Sequence, residues 1–399
     1  MANIDEIKQY NEWTLIPDSF EDTYIATRHV QEPNLIIPEN VLSVLKQQLE
    51  EHDIFLGNED VLKEIISGLV KGNIILQGPP GTGKTSIARI ICDVFNIKAN
   101  ECTAVSEWTT YDTIGGLQPS VNDDDKEIVI GKNGRIVESI LDCCNTVLEK
   151  EEHDGEKQAS WLIIDELNRC EIDKVFGDLF TIFGSDKSGE KKSIALWFEK
   201  DTNKKQIYIP NRYRIIGAMN NIDKNFVFDI SQGLSRRFTF ITILPPKESY
   251  FLEEVENAKK KAAKRVYAKL NGMDGITEEK LQELLSDPEF RNAESVMCNL
   301  LKHIRYENDE KYLGLQIGTA QIIDTYENIL LNMALFSYND VADKKQEIQK
   351  IIDSTVCNRI TPQMEGFDDE RLRNFLDYFV SDGQYEWFEQ TKKSVGMKL

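Results

Sequence analysis

Residues 78–85 of this chain are Gly78-Pro79-Pro80-Gly81-Thr82-Gly83-Lys84-Thr85, a match to the pattern G-x-x-x-x-G-K-[ST]. The apolar run Ile74-Ile75-Leu76 precedes this stretch, and a helical pattern over Ser86–Val94 follows it. Between a strand and a helix, glycines allow consecutive backbone N–H groups to turn toward phosphate oxygens at the N-terminus of the helix. The stretch therefore predicts a phosphate-binding loop.

The side chains of this loop predict which phosphate compound it binds. Lys84 is expected to reach the β and γ phosphates of a nucleoside triphosphate, and the Thr85 hydroxyl is expected to ligate Mg²⁺. The run from Gly78 to Ser86 is therefore the candidate nucleotide-binding segment, and Mg²⁺ is the expected cofactor.

A second apolar run, Trp161-Leu162-Ile163-Ile164, ends in two acids, Asp165 and Glu166. Ligands of doubly wound sheets bind at the carboxyl ends of the strands, so both acids are expected to face the phosphates. Asp165 has the chemistry for binding Mg²⁺, directly or through a water molecule. Glu166 has the chemistry for polarising the attacking water, because phosphoryl transfer depends on positioning and electrostatics.

Two later segments carry polar residues that suit the same chemistry. Asn220 follows a third apolar run, Tyr213–Gly217, and an amide there can hydrogen-bond the γ-phosphate or the water. Further along the chain, Arg236 or Arg237 could be presented to the γ-phosphate of a neighbouring subunit and stabilise the transition-state charge. An arginine pair alone is more typical of surface ion pairs, so this interpretation depends on the three elements before it.

Strand and helix patterns alternate from Asn73 to about Pro246, and helical patterns predominate after that point. Continuous apolar runs with helices between them indicate a parallel sheet covered on both faces. We therefore predict an α/β fold, with a doubly wound parallel sheet core of the P-loop type and a C-terminal all-helical lid domain. The expected segments are a short N-terminal part over 1–50, the core over 51–246, and the helical lid and C-terminal region over 247–399.

Two polar insertions interrupt the core near 118–134 and 185–208, and alternating apolar residues in each predict a hairpin. Two interpretations of these hairpins stay open. They are either passive surface hairpins or elements that point into the central pore of a ring.

The bulk composition excludes several classes of protein. With 399 residues, 41% hydrophobic and 29% charged, the chain is typical of globular domains. No apolar run has the length of a bilayer span and the N-terminus lacks a secretion signal, so we expect no membrane association. Seven cysteines without a C-x-x-C pair fit a reducing compartment, which predicts a cytoplasmic location.

The net charge of −21 argues against a dedicated binder of duplex DNA. Neutralisation of DNA phosphates supplies most non-specific affinity, and such binders usually carry a basic surface. The basic cluster Lys259–Arg265 is interpreted as a solvated helix face, although a nucleic-acid contact stays open if several copies line a ring. DNA is therefore expected only as an indirect partner.

Taken together, the motifs resemble those of AAA+ ATPases, in the order Walker A, Walker B, sensor-1 asparagine and arginine finger. The details are similar to the McrB-like branch, the nucleotide-driven motor subunits of modification-dependent restriction systems, with MoxR-type ATPases as more distant relatives. The segments that carry this likeness include Asp165-Glu166-Leu167-Asn168-Arg169 and Met219-Asn220-Asn221-Ile222-Asp223-Lys224.

The resemblance implies roles for individual residues. It implies that Asn220 is sensor 1, that Asp223 helps to hold the catalytic water, and that Arg236 or Arg237 is the finger that acts in a neighbouring subunit.

At three points the chain departs from its relatives. Lys224 stands where the branch has an arginine, and Ala320 stands where many relatives have a sensor-2 arginine, which implies weak coupling of the lid to the γ-phosphate. The N-terminal segment is also too short for the DNA-reading domain of McrB motors, which implies that target recognition belongs to another chain.

The leading hypothesis is a homo-oligomeric ring, expected to be hexameric, that hydrolyses ATP or GTP to drive a separate effector such as a nuclease subunit in bacterial defence. The alternative is a MoxR-like remodelling chaperone that acts on a protein client, and a third hypothesis is a nucleotide-controlled scaffold. The Asn-Lys-x-Asp guanine code of small GTPases is absent, and ATP is favoured because it is the usual nucleotide of AAA+ ATPases.

Overall fold

The computed structural model describes residues 34–399 apart from positions 53, 55, 57–59, 122–124, 154, 178, 184–191, 201–204, 221–231, 272, 274–275, 308–312, 337, 339–340 and 382. The described residues form two compact units. The first holds the residues up to Ile243 except for Leu56 and Pro79–Gly83, which group with Leu244–Leu399 in the second unit.

Within the described part of the first unit, five strands form one parallel sheet. The strands are β1 (Asn73–Gly78), β2 (Ile97–Thr103), β5 (Ala159–Asp165), β8 (Ile215–Asn220) and β9 (Phe238–Thr242). Their order across the sheet is β2-β5-β8-β1-β9, so β5, β8 and β1 are adjacent in its centre. The predicted parallel sheet is confirmed.

The central strands are almost completely buried, which explains why their sequences are apolar without alternation. Ile74, Ile75 and Leu76 of β1 have no exposed surface, and neither do Trp161 and Ile163 of β5. The edge strand β2 differs, because its side chains alternate between exposed and partly buried positions.

Two of the described helices of the first unit precede β1, and the others lie between strands in the chain. In chain order, the helices are α1 (Val41–Glu51), α2 (Asp60–Lys71), α3 (Lys84–Val94), α4 (Thr110–Thr113), α5 (Arg135–His153), α6 (Ile172–Phe176), α7 (Leu179–Phe183) and α8 (Gln232–Ser235). α3 begins at Lys84, two residues earlier than predicted, so the lysine and threonine of the phosphate-binding motif lie in its first turn.

Both predicted insertions contain an antiparallel pair of strands. The first consists of β3 (Gly115–Val121) and β4 (Glu127–Asn133), with Gln118 opposite Ile130. The second consists of β6 (Ser193–Ala195) and β7 (Gln206–Tyr208), with Ile194 opposite Ile207. A position of these hairpins in a pore stays a prediction.

In the second unit, the described residues after Leu244 form helices without a strand. These are α9 (Phe251–Leu270), α10 (Glu278–Ser286), α11 (Pro288–Tyr306), α12 (Thr319–Leu335), α13 (Lys344–Arg359), α14 (Asp369–Ser381) and α15 (Glu389–Gly396). The predicted C-terminal helical region is confirmed. None of the helices in the described ranges is long and apolar enough to cross a membrane.

Several helices of the second unit are amphipathic, and α10, α11 and α13 begin at a side-chain cap. In α9, Phe251, Val255, Ala258 and Ala262 recur every three or four residues and are all buried. At the start of α11, the Asp287 carboxylate accepts hydrogen bonds from the backbone N–H groups of residues 289 and 290, and proline occupies the first helical position. The apolar faces meet in one core that includes Phe290, Tyr326 and Phe379.

Trp161 is the largest fully buried side chain of the sheet unit. Its indole Nε1 donates to the carbonyl of Arg212 at 2.6 Å, and its ring lies 5.8 Å from that of Phe95. The strand is therefore held by both packing and a buried hydrogen bond.

Trp161→Ala should lower the free energy of unfolding by roughly 3–5 kcal/mol, because it leaves a cavity and removes a buried hydrogen bond. Trp197→Ala is the matched control, since this tryptophan is 70% exposed and its loss should change stability by less than about 0.5 kcal/mol. Urea unfolding followed by circular dichroism measures both, and equal effects would contradict the assignment of Trp161 to the core.

Candidate functional site

The candidate site lies where three neighbouring strands end. In a parallel sheet all carboxyl ends lie at one edge, and the register places Gly78 of β1 opposite Asn220 of β8. On the other side of β8, Ile164 of β5 lies opposite Gly217. The ends of β1, β5 and β8 therefore lie at the same edge of the sheet although they are far apart in the sequence.

The loop after β1 has the backbone conformation that its glycines predict. Gly81 and Gly83 have φ values of 77° and 81°, in the left-handed region that other residues rarely adopt. The Thr82 hydroxyl donates to the carbonyl of Pro79 at 3.0 Å and closes the turn. The loop thus enters α3 directly from a tight turn, as an anion-binding loop requires.

Lys84, the first residue of α3, is 6% exposed, and its Nζ donates to the carbonyl of Gly78 at 3.1 Å. Burial lowers the pKa of Lys84 from 10.5 to about 8, while the nearby Glu166 and Asp165 carboxylates oppose this shift. A buried cation of this kind is stabilised by an anionic ligand such as a phosphate, because burial disfavours its charge.

Thr85 and Asp165 are joined directly. The Thr85 hydroxyl donates to Asp165 Oδ2 at 3.0 Å, and the other carboxylate oxygen of Asp165 accepts the backbone N–H of Glu166 at 2.9 Å. A hydroxyl and a carboxylate are the hard oxygen ligands that Mg²⁺ prefers.

Glu166 is held on both sides. Its backbone is in the left-handed conformation, with φ 52° and ψ 37°, at the point where the chain leaves β5. Asn220 Nδ2 donates to Glu166 Oε1 at 2.7 Å, and Arg169 Nε lies 3.2 Å from Oε2. The carboxylate is therefore oriented by an amide from β8 and by a guanidinium from its own turn.

Asn168 is a site residue that sequence reasoning did not assign a role. It is 2% exposed, and its Nδ2 donates to the backbone carbonyl of Asn220 at 2.9 Å. Next to it, Leu167 fills the space beside Gly217, where an added Cβ would lie 2.6 Å from a leucine methyl. The turn after β5 thus holds the end of β8, and no pattern in the sequence indicated this contact.

Arg236 and Arg237 do not lie with these residues at the carboxyl edge of the sheet. Arg236 is exposed and Arg237 partly buried, and both come just before β9, whose first residue Phe238 pairs with Asn73 at the start of β1. They are therefore at the amino edge of the sheet, about 17 Å from its carboxyl edge for a six-residue strand. Arg237 Nη1 donates to the carbonyl of Gly233 at 2.6 Å.

The structure thus brings together five of the predicted side chains and separates two others. Lys84, Thr85, Asp165, Glu166 and Asn220 converge at the carboxyl edge. Asp223, the expected helper of the catalytic water, lies outside the described residues.

The arrangement fits a nucleoside triphosphate with Mg²⁺. Lys84 provides a buried cation beside a loop shaped for anions, and Thr85 with Asp165 provides a pair of hard oxygen ligands. Glu166 and Asn220 add a carboxylate and an amide that can contact a water molecule.

Residues 73–238, which contain the whole sheet edge just described, match the family described as AAA domain (dynein-related subfamily). The fold, the phosphate-binding loop and the acidic strand end define this segment as an AAA+ domain. Domains of the AAA+ class bind nucleotides.

Within that class, the chain is similar to the type IV methyl-directed restriction enzyme EcoKMcrB subunit of Escherichia coli (strain K12), with 31% identity over 201 residues. This likeness and the AAA match over 73–238 support the predicted resemblance to the McrB-like branch of AAA+ ATPases. The match covers 49% of this chain and 40% of that protein, so the chain spans less than half of the length of this relative.

Among solved structures, a mutant RuvB from Thermotoga maritima is similar over 82% of this chain and 77% of its own. The sequence identity is 16% and the TM-score is 0.38.

The buried lysine predicts a pH dependence of stability. Between pH 8 and 10.5 the unfolded chain binds the Lys84 proton and the folded chain does not, so this group makes stability rise with pH in that range. Lys84→Met removes the cost of burying the charge, which is largest below pH 8. Its stability advantage over the native chain should therefore shrink by roughly 2 kcal/mol from pH 7 to pH 10.

Urea unfolding of both proteins at several pH values measures this difference. Lys132→Met, at an exposed position, is the control and should show no such trend. A stability difference that stays constant with pH would show that Lys84 keeps its ordinary pKa.

Proposed function

We propose that this chain is a nucleoside triphosphatase of the AAA+ type, which hydrolyses ATP or GTP with Mg²⁺. The observation that carries the proposal is the convergence of Lys84, Thr85, Asp165, Glu166 and Asn220 at one edge of the sheet. These side chains supply a cation for the phosphates, ligands for Mg²⁺ and groups for positioning water. In the proposed organisation, residues 51–246 are the nucleotide-binding core and 247–399 form the lid and C-terminal helices.

In this proposal, Lys84 binds the β and γ phosphates together with the backbone N–H groups of the segment from Gly78 to Ser86. Thr85 and Asp165 are the residues that would hold Mg²⁺. When bound, the ion neutralises charge on the β and γ phosphate oxygens.

Glu166 and Asn220 act on the attacking water in this proposal. Among the described residues, each carboxylate oxygen of Glu166 accepts one hydrogen bond, and a second lone pair can accept from the water. The Asn220 amide donates one N–H to Glu166, and in this proposal its second N–H donates to the γ-phosphate or the water. The water oxygen then forms the new bond to the γ-phosphorus as the bond to the bridging oxygen breaks.

We further propose that the chain works as a homo-oligomeric ring, for which a hexamer is the expected form. The position of Arg236 and Arg237 supports this, because side chains at the amino edge cannot reach the carboxyl edge of their own sheet. One of them would instead act on the γ-phosphate bound by a neighbour.

The likeness to a restriction-enzyme subunit supports a more specific proposal. In it, the ring drives a separate effector, such as a nuclease subunit of a bacterial defence system in the cytoplasm. DNA would be contacted only indirectly, because the chain carries a net charge of −21. Within the basic cluster, Lys259 pairs with Glu256 and Glu294, which leaves less positive charge for phosphates.

The first test of the activity is turnover of ATP and GTP, each in competition with the other. Glu166→Gln should lower turnover by roughly 10²–10⁴-fold and leave nucleotide binding intact, because the water loses its base but the phosphate loop is unchanged. Lys84→Ala should weaken binding itself. Near-normal turnover of Glu166→Gln would remove Glu166 from the proposed role, and unchanged affinity of Lys84→Ala would contradict the phosphate-binding assignment.

The second test asks whether the site is shared between subunits. The double variant Arg236→Ala/Arg237→Ala should bind nucleotide without hydrolysing it, and Lys84→Ala should be inactive with its arginines intact. Mixing the two should restore partial activity, because some interfaces then combine an intact loop with an intact arginine. An arginine finger is worth roughly 10³–10⁵ in rate, so even a minority of repaired interfaces is measurable.

Mass spectrometry of the mixture establishes whether mixed oligomers form. Mixed oligomers that are no more active than their parts would mean that the arginines act within their own subunit or only in its structure.

A further inference from the structure

The first turn of α12 lies against Pro79–Gly83 of the phosphate-binding loop, and this part of the loop belongs to the second unit, as α12 does. The Ala320 N–H donates to the carbonyl of Gly81 at 3.0 Å. An added Cβ on Gly318 would lie 2.4 Å from the carbonyl carbon of Gly81 and 2.5 Å from the carbonyl oxygen of Pro80. Only a glycine allows this approach, so α12 begins in direct main-chain contact with the loop.

A buried ion pair holds the neighbouring residue of that turn. Glu254 of α9 is completely buried and accepts hydrogen bonds from both terminal nitrogens of Arg305 on α11, at 2.7 and 3.3 Å. The Thr319 hydroxyl donates to the same carboxylate. One buried glutamate thus connects α9, α11 and the first residue of α12.

The turn is also closed by its own side chains. Gln321 accepts a hydrogen bond from the Gly318 N–H and donates to the side chain of Gln363 at 2.8 Å. With Ala320 bonded to the loop and Thr319 bonded to Glu254, three consecutive residues of the turn each have a fixed partner. The position of the turn is therefore set by the interior of the helical unit.

The ion pair is poorly explained by stability alone. Burying two charges costs more than their attraction returns unless every polar atom is paired, and Arg305 Nε is buried without a partner among the described residues. An apolar pair of similar volume is often at least as stable. The ion pair holds a carboxylate at a fixed position, where it accepts the hydrogen bond of the Thr319 hydroxyl. An apolar pair would provide no such acceptor.

We propose that Thr319 is a positioning residue for the phosphate-binding loop, held by the buried Glu254–Arg305 pair and acting through the Gly318 and Ala320 contacts with Gly81. Nucleotide affinity then depends on the interior of the helical unit. This inference rests on the proposed function, and it gives the turn a means of acting although Ala320 replaces the sensor-2 arginine of relatives. The coupling runs through the main chain of the loop instead of a cation on the γ-phosphate.

Three threonine variants test the inference, with a fluorescent ATP or GTP analogue and Mg²⁺ as the probe. Thr319→Val keeps the shape of the side chain and removes the hydroxyl, so it should weaken nucleotide binding about tenfold, the effect of one lost hydrogen bond to a charged group. Thr319→Ser keeps the hydroxyl and should bind like the native chain. Thr355→Val removes a hydroxyl of α13 that is more deeply buried than that of Thr319, and it should leave affinity unchanged.

The kinetic readout separates positioning from chemistry and from folding. We expect the KM for nucleotide to rise in Thr319→Val with kcat changed less than twofold, and the melting temperature to fall no more than in Thr355→Val. Native affinity in a folded Thr319→Val would overturn the inference. If the native chain itself binds neither nucleotide, the proposed function fails instead.

A second variant keeps the inference testable if Thr319→Val does not fold. Gly318→Ala should weaken nucleotide binding at least tenfold, because the added methyl must displace the loop. Gly396→Ala, where the methyl meets no atom within 4 Å, is the matched control. Equal affinities of these two glycine variants would overturn the contact as a determinant of nucleotide binding.

Discussion

Hydrogen bonding between the parallel strands β5, β8 and β1 is the interaction on which the site depends. It aligns Gly78 with Asn220 and Ile164 with Gly217, so that residues far apart in the sequence share one edge. Because parallel strands all end on the same side, each strand can contribute one polar group to a common place. The loop lysine, the acids and the amide need no other element to bring them together.

That alignment is reinforced where the strands stop. The turn after β5 contacts β8 three times: Glu166 accepts from the Asn220 side chain, Leu167 packs on Gly217, and Asn168 donates to the Asn220 carbonyl. Polar side chains at the ends of strands would otherwise be free to rotate in water. Here, the carboxylate that must face the water is oriented before any ligand arrives, which is the preorganisation that electrostatic catalysis requires.

The electrostatics of the site follow from its burial. Lys84 has lost most of its hydration and has a lowered pKa, although two carboxylates lie nearby. A phosphate group would restore favourable charge around the lysine, and the acids would then be balanced by Mg²⁺. The loop that completes this site is in contact with α12 of the helical unit, so its conformation depends on packing far from the chemistry.

Several features followed from the sequence because they rest on local physics. The glycine-rich loop requires left-handed backbone at Gly81 and Gly83, and a buried strand requires a continuous apolar run, so both leave a direct signature. The edge strand β2 left none, because its exposed side chains alternate with partly buried ones and form no apolar run. The helices of the second unit were predicted from the spacing of their apolar residues, which are buried in the structure.

By itself, the sequence determined the class of fold, the phosphate-binding loop and the acids at the end of β5, since each depends on residues that are adjacent in the chain. Only the tertiary structure decided which strands are neighbours, and with them the pairing of Glu166 with Asn220 and the separation of Arg236 from its own site. It also decided that Asn168 holds β8 and that Glu254, Arg305 and Thr319 meet beside the loop. These contacts join residues distant in the chain, and their energy depends on burial and geometry that no local pattern records.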